Sequence, residues 1–159
     1  MLRFFCKRER NGCCAPNFRE ESCGSATGIQ ESRTIMNKVN SVRELDVYQA
    51  SFKLQQEIFA VTKAFPREEM YSLTDQIRRS SRSIGSNLSE AWAKRRYPAH
   101  FLAKLTDADG ELQETLHWLD TAEACGYLEG TCATSLRDVA GLISKQLGSM
   151  INRYESFCF

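Results

Sequence analysis

Apolar side chains recur at helical spacing through most of this chain, in four segments separated by short polar stretches. The first segment begins at Val42 or Asp46 and ends at Ala64. Ser41 and Glu44 fit a capping box at its start. Its apolar residues follow a period close to 3.6 residues, which predicts an amphipathic α-helix. These residues are Leu45, Tyr48, Leu54, Ile58, Val61 and Phe65.

A second segment opens with a capping box of Ser72 and Asp75 and extends to about Lys94. Its inward stripe has few large side chains, because serine and glycine occupy many of its positions. Small residues let a neighbouring helix approach closely, at a cost in helix propensity. The stripe contains Leu73, Ile77, Ser81, Ile84, Leu88 and Ala91, and further small residues are Ser80, Ser83, Gly85, Ser86 and Ser89.

Two further segments have the same helical spacing. The third begins at Pro98, which suits the first turn of a helix, and ends near Cys125. Gly126 is then placed for a left-handed cap. The fourth segment begins near Thr131 or Thr134. The predicted core positions are Phe101, Leu105, Ala108, Leu112, Leu116, Leu119 and Ala122 in the third segment, and Leu136, Val139, Ile143, Leu147, Met150 and Tyr154 in the fourth.

The connections between these segments are short, which makes sequence neighbours antiparallel. Residues 41–156 therefore predict an all-α, antiparallel up-down four-helix bundle. Residues 1–40 lack sustained apolar periodicity and are predicted to be a flexible N-terminal arm. An additional hypothesis is that Met36 is the natural start and that the preceding residues come from an extended gene call. No apolar run approaches the ~18 residues that cross a bilayer, and no secretory signal is recognisable, so a soluble cytoplasmic protein is predicted.

Charge is nearly balanced overall but is separated along the chain. The net charge of +1 argues against a generally basic nucleic-acid-binding protein. Residues 70–96 contain six basic and two acidic residues, whereas residues 97–126 contain one basic and six acidic residues. One interpretation is that complementary helices pair within the bundle or between subunits. The alternative is a phosphate-binding surface, on which Arg78, Arg82 and Arg96 share a helix face. Its candidate residues are Arg78, Arg79, Arg82, Lys94, Arg95 and Arg96.

A second group of candidates lies on or beside the apolar stripe of the second helix. Asn87 and Glu90 are in mid-helix, where a polar side chain normally needs a partner. They predict either a buried or interfacial hydrogen-bonded pair that fixes helix register, or a binding role. Ser81 and Ile84 complete this set of candidate structural and interface residues.

No pattern in the sequence is typical of catalysis. Glu114 and His117 have the spacing of a helix-borne pair of metal ligands, but a di-metal bundle needs two such pairs and two further glutamates. Neither a nucleophile motif nor a glycine-rich phosphate loop occurs. The seven cysteines predict free thiols, with zinc binding by the four in the first 23 residues as the alternative. The sequence therefore predicts a protein that is not an enzyme and has no cofactor or metal.

Four stretches carry a family resemblance. They are LDVYQASFKLQQEIFAVTKAFP at residues 45–66, QIRRSSRSIGSN at 76–87, SEAW at 89–92 and LISKQLGSMI at 142–151. They resemble the four-helix-bundle proteins first noticed as products of intervening sequences inside bacterial 23S ribosomal RNA genes. The resemblance implies a ring-like homopentamer without catalytic residues and linked to structured RNA. In one branch, similar proteins are accessory factors of diversity-generating retroelements that bind nucleic acid and the element's reverse transcriptase.

Two functions follow from these observations. The first is a non-catalytic, homo-oligomeric four-helix-bundle scaffold or adaptor, ring-like and pentameric by resemblance, associated with structured RNA. The second is an accessory protein of a reverse-transcriptase element that binds RNA or DNA through the basic residues of the second helix. The opposite charges of the second and third helices favour self-association.

Overall fold

Four long α-helices make up the part of the chain that the computed structural model describes, residues 39–159. The helices are α1 (Asp46–Val61), α2 (Asp75–Ala93), α3 (Pro98–Ala124) and α4 (Gly130–Asn152). Short 3₁₀ segments lie at Val42–Glu44, Thr62–Ala64, Arg67–Glu69 and Tyr154–Phe157, and a π-helical turn at Met70–Thr74 leads into α2. The predicted arm, with the alternative start at Met36 and the first four cysteines, lies outside the described residues except for its last two positions.

Each helix packs against the helices that precede and follow it, and α4 packs back against α1. This is the cyclic arrangement of an antiparallel up-down bundle, and it confirms the predicted all-α fold. The contact between α2 and α3 is the most extensive of the four. Within residues 39–159, no helix is long and apolar enough to cross a membrane.

The core confirms the predicted stripe of α2 completely, since all six of its residues are buried. The prediction for α3 was wrong at one position and that for α4 at two, since Tyr154 is half-buried and lies beyond the end of α4 at Asn152. Thr115 is buried and Leu116 half-buried, and Ala140 is buried while Val139 is half-buried. The buried positions of both helices alternate steps of three and four without a break. This regular spacing, and not side-chain size, determines which residue faces the core, even when the adjacent residue is larger.

The inward face of α1 differs from its prediction in the same way. Tyr48 and Val61 are only half-buried, whereas Val47, Ser51 and Thr62 are buried. The hydroxyl groups of Ser51 and Thr62 donate to the backbone oxygens of residues 48 and 59, at 2.8 and 3.2 Å. Because their polar groups are satisfied locally, these small residues can occupy the core side of the helix.

The predicted caps at the N-termini of the first two helices are not formed as expected. Ser41 accepts from the Arg43 backbone N–H at 3.3 Å, so it caps the 3₁₀ turn that precedes α1. Glu44 reaches back to the backbone N–H of Asn40 at 3.1 Å. Ser72 lies inside the π-helical turn, where its hydroxyl group donates to the Glu69 carboxylate. The capping box predicted there was wrong, because the chain is already helical before α2 begins.

The C-terminal cap of α3 is confirmed. Gly126 has φ of +74°, the left-handed conformation that favours glycine. Its N–H donates to the Glu123 carbonyl, and the Tyr127 N–H donates to the Ala122 carbonyl, both at 2.9 Å. These are the two hydrogen bonds of a Schellman motif. The motif ends α3 and turns the chain towards α4.

Candidate interaction surface

A cluster of basic and aromatic side chains lies where α1 and α2 meet at the surface. We call Phe59, Lys63, Arg78 and Arg82 the Phe59 cluster. The Lys63 Nζ is 4.8 Å from the centroid of the Phe59 ring, and the guanidinium carbons of Arg78 and Arg82 are 5.0 and 5.8 Å from it. Cations at these distances are attracted to the negative face of an aromatic ring. One partly exposed ring therefore gathers three positive charges from two helices and their connection.

No carboxylate neutralises these three cations within the described residues. The Arg78 Nε–H donates to the Thr62 hydroxyl at 2.7 Å, which holds the guanidinium against α1. For its other four N–H donors the described residues provide no hydrogen-bond acceptor. The Phe59 cluster thus presents uncompensated positive charge beside an apolar ring.

The aromatic surface continues along α1. Phe52 is 51% exposed and Phe59 36% exposed, and seven residues separate them, or about two helical turns. A groove of about 430 Å³ borders Phe52 and is lined by Arg43, Tyr48 and Gln49. Both phenylalanines therefore lie on one outward face of a helix whose other side forms the core.

The remaining predicted basic residues are in different environments. Arg79 donates to the Gln76 side chain at 3.1 Å. Lys94, Arg95 and Arg96 follow the end of α2 at Ala93, in the turn before α3. The prediction that Arg96 shares a helix face with Arg78 and Arg82 was wrong, because the helix does not extend that far.

Arg95 is held by two aromatic rings at this end of the bundle. Its guanidinium carbon is 3.6 Å from the Trp92 ring centroid and 5.0 Å from that of Phe159. Its Nε–H donates to the Trp92 carbonyl at 3.1 Å. Sixteen residues of helix separate Arg78 from Lys94, which is about 24 Å along the axis. The six basic candidates therefore divide into two groups and do not form one continuous surface.

The polar candidates of α2 share a partner on α3. The Lys104 Nζ donates to Asn87 Oδ1 at 3.2 Å and lies 3.1 Å from Glu90 Oε2 and 3.1 Å from Asp107 Oδ2. Hydrogen bonds to Glu90 and Asp107 raise the pKa of the Lys104 ammonium group. Asn87 is half-buried and Glu90 exposed, and each satisfies its polar group through Lys104. The pair thus connects α2 to α3 through a shared cation.

Ser81 and Ile84, the other two candidates of this set, are buried in the bundle. The Ser81 hydroxyl donates to the Arg78 carbonyl at 3.2 Å. Ile84 is fully buried among the core side chains. Both positions therefore support the packing of α2 and are inaccessible to a partner.

An acidic row lies on the outer side of α3. We define the acidic row as Asp107, Glu111 and Glu114, which are spaced at one helical turn. Burial raises the pKa of the Glu111 carboxyl group; Glu114 and Asp107 raise it further, and the charge of Arg79 opposes the rise. Glu111 and Glu114 form no ion pair with the described residues. The negative charge of this row is therefore only partly compensated.

The charges of α2 and α3 do not pair as their sequence segregation suggests. The ion pair between these helices in the described residues has the reverse polarity, with Lys104 on α3 and Glu90 on α2. Two other acids of α3, Asp120 and Glu123, are bound by Arg137 of α4. The arginines of α2 thus form no ion pair within the described bundle.

Glu114 and His117 do not form a metal site in the described part of the chain. Glu114 accepts a hydrogen bond from the Trp118 indole at 3.1 Å, and the His117 ring packs 4.9 Å from the Trp118 ring. No group of three or more metal-ligating side chains occurs among residues 39–159. Cys125 and Cys158 are free thiols at helix ends; Cys125 is exposed, and the half-buried Cys158 thiol donates to the Tyr154 carbonyl at 3.4 Å.

Sequence reasoning missed Phe52, Phe59, Lys63 and Lys104. The two phenylalanines are apolar residues outside the predicted stripe of α1, and this was the signal that could have identified an exposed aromatic face. Lys104 is the one basic residue of an acidic segment, which could have marked it as a shared partner.

The fold and its surface define a class of protein: a small all-α four-helix bundle with a charged and aromatic exterior. The chain belongs to the 23S rRNA-intervening sequence protein family, whose model matches residues 43–149. This confirms the resemblance found in the sequence.

A solved structure from Bacteroides thetaiotaomicron is similar to this chain. It is a protein of unknown function from the S23 ribosomal protein family, with 30% sequence identity and a TM-score of 0.61. The alignment covers 67% of this chain and 95% of the other. A search of curated proteins gave no match.

Proposed function

We propose that this protein is a non-catalytic, homo-oligomeric four-helix-bundle adaptor linked to structured RNA. The observation that carries the proposal is the exposed aromatic face of α1, formed by Phe52 and Phe59. Aromatic residues are enriched in protein interfaces, and exposed apolar patches mark such surfaces. Leu54 and Ile58 on the opposite side of the same helix are fully buried, so the exposure of this face does not result from a poorly packed core.

The expected assembly is a ring, and the family resemblance specifies a pentamer. The link to RNA rests on the same resemblance and on the family's description. We assign no catalytic role to Glu114 or His117, because Glu114 accepts a hydrogen bond from the Trp118 indole and the His117 ring packs against the Trp118 ring.

Light scattering coupled to size-exclusion chromatography tests the proposal. The wild-type chain should have the mass of an oligomer at micromolar concentration, and Phe52→Asp should reduce that mass. Leu142→Asp is the matched control, since Leu142 on α4 is 50% exposed and Phe52 is 51% exposed. A wild-type monomer would defeat the proposal, and so would a Phe52→Asp variant that assembles normally.

Nucleic-acid binding is the second candidate function, and the Phe59 cluster favours it. Proteins that bind single-stranded nucleic acid combine positive charge with exposed aromatic rings on which bases stack. Affinity for RNA or DNA should then fall steeply as salt increases, and Arg78→Glu with Arg82→Glu should abolish binding. The reverse transcriptase implied by one branch of the family would be the protein partner in that case. Absence of binding to both RNA and DNA at low salt would exclude this function.

A further inference from the structure

The Phe59 cluster and the acidic row flank α2 on different sides. Arg78 and Arg82 lean towards Phe59 on α1, whereas Glu111 lies on α3 within the influence of Arg79. The cations of the Phe59 cluster form no ion pair in the described bundle. In the acidic row, Glu111 and Glu114 form none either. The two surfaces have opposite sign, and no ion pair joins them within the described bundle.

We propose that the Phe59 cluster of one protomer docks on the acidic row of a second copy of this chain. The inference rests on the proposed self-association and deepens it by naming the two surfaces that meet. Charge complementarity selects the occupant, since the α3 row supplies the carboxylates that Lys63, Arg78 and Arg82 lack.

The chemistry of the two surfaces suits this contact. Arg78 uses only Nε–H within the bundle, which leaves the outer edge of its guanidinium group for a carboxylate. The Phe59 ring supplies apolar area at the centre of the cationic group. Trp118, which is half-buried beside Glu114, supplies apolar area next to the row. Aromatic and arginine side chains together are the residues that contribute most to protein interfaces.

Unfavourable charge on the row supports the same contact. Burial and the neighbouring carboxylates disfavour the ionised form of Glu111 in the isolated bundle. A guanidinium group from another copy would reverse that effect, because an opposite charge at close range stabilises the carboxylate. Association therefore relieves repulsion on one surface and uncompensated charge on the other.

The contact joins two different surfaces, so it is heterologous. Every copy then has one Phe59 cluster and one acidic row to offer, and repetition of the contact produces a ring when the rotation closes. The aromatic face of α1 extends beyond the cluster to Phe52, which enlarges the buried area on that side.

Charge reversal on each surface tests the inference. One variant carries Arg78→Glu with Arg82→Glu, and a second carries Glu111→Lys with Glu114→Lys. Each should weaken association by at least about a hundredfold, since like charges in an interface cost several kcal/mol. The control is Lys94→Glu with Arg96→Glu, which makes the same change in charge at the far end of α2 and should leave the mass unchanged.

Restoring the complementarity should restore the assembly. A variant with all four reversals has an acidic cluster facing a basic row, and it should recover the oligomeric mass. Mixing the two double variants should also give complexes, because each supplies a surface that the other can bind. Far-ultraviolet circular dichroism verifies that every variant is folded, and the mixing experiment serves if the fourfold variant does not fold.

The outcomes separate this inference from the proposed function. A wild-type oligomer whose mass neither double variant changes would overturn the inference while self-association stands. Folded double variants that fail to associate when mixed would also overturn it. Loss of RNA binding in the arginine variant with an unchanged oligomeric mass would assign the cluster to nucleic acid instead. A wild-type monomer would defeat both proposals.

Discussion

Gly85 lies in the middle of α2 where this helix faces α1, and we expect Gly85→Ala to stabilise the bundle. An added Cβ atom would be 3.5 Å from the Ser51 Oγ and 3.8 Å from Tyr48 Cε2. Both distances are ordinary van der Waals contacts, so the methyl group fits without displacing either helix. The Ser51 hydroxyl donates to the Tyr48 carbonyl at 2.8 Å and need not move.

The expected gain has two sources. Alanine in a helix interior is favoured over glycine by roughly 0.5–1 kcal/mol, because the unfolded chain loses less conformational entropy on folding. Partial burial of the methyl group adds a fraction of the ~0.8 kcal/mol that a fully buried CH₂ contributes. Gly85→Ala should therefore raise the free energy of unfolding by about 1 kcal/mol.

Urea denaturation at one protein concentration measures this change. Gly110→Ala on α3 is the matched control, because an added Cβ there meets nothing within 4 Å and reports helix propensity alone. Gly85→Ala should stabilise the protein at least as much as this control. A Gly85→Ala variant less stable than wild type, beside a stabilised Gly110→Ala variant, would refute the reasoning: α1 and α2 would then need glycine for their approach.

Three other changes test the packing, a turn and a titrating group. Thr115→Val should lower the free energy of unfolding by about 1 kcal/mol, because it removes the buried hydrogen bond that the Thr115 hydroxyl donates to the Ser80 hydroxyl at 3.0 Å. A double-mutant cycle with Ser80→Ala should show coupling between the two residues. Gly126→Ala should cost about 1–2 kcal/mol by urea denaturation, since φ is +74°; no loss would contradict the left-handed cap. The Ser72 hydroxyl lowers the pKa of Glu69, so Glu69 stabilises the fold above the ordinary glutamate pKa and loses this effect as pH falls through its lowered value. Glu69→Gln should thus lower the melting temperature at neutral pH, and this loss should shrink as pH falls below the ordinary glutamate pKa; a loss that stays the same at every pH would exclude this role.

The sequence predicted the core best where the large apolar residues of a helix all lie on one face. In α2 and the turn before it, the aliphatic residues recur along one line from Leu73 to Ala91, so every predicted stripe residue is buried, although the buried Ser80 was missed. In α3 and α4, Leu116 and Val139 lie beside smaller residues that turn inward. Side-chain size favours burial of the larger residue in such a pair. The orientation of each helix is instead determined by its packing against the other three helices, which one segment of sequence does not show.

The surface was harder to predict because its properties depend on how helices are arranged around one another. Arg78 and Arg82 were recognised as basic candidates, but their partner Phe59 is on a different helix. The need of Asn87 for a polar partner was also recognised, yet Lys104 lies seventeen residues away. A single sequence shows which residue types such a site contains, but it does not show which residues of different helices contact each other.

The π-helical turn at Met70–Thr74 determines where this chain can change in length. A π turn holds one more residue than an α turn. Loss of one residue there would convert it into an α turn and leave α2 in its present orientation. The same loss inside α2 would rotate every later residue by about 100° and carry half of its stripe out of the core. The buried Thr74 hydroxyl, which has no hydrogen-bond partner among the described residues, belongs to this turn. Relatives of different length should therefore gain or lose residues at this turn, with the helix stripes unchanged.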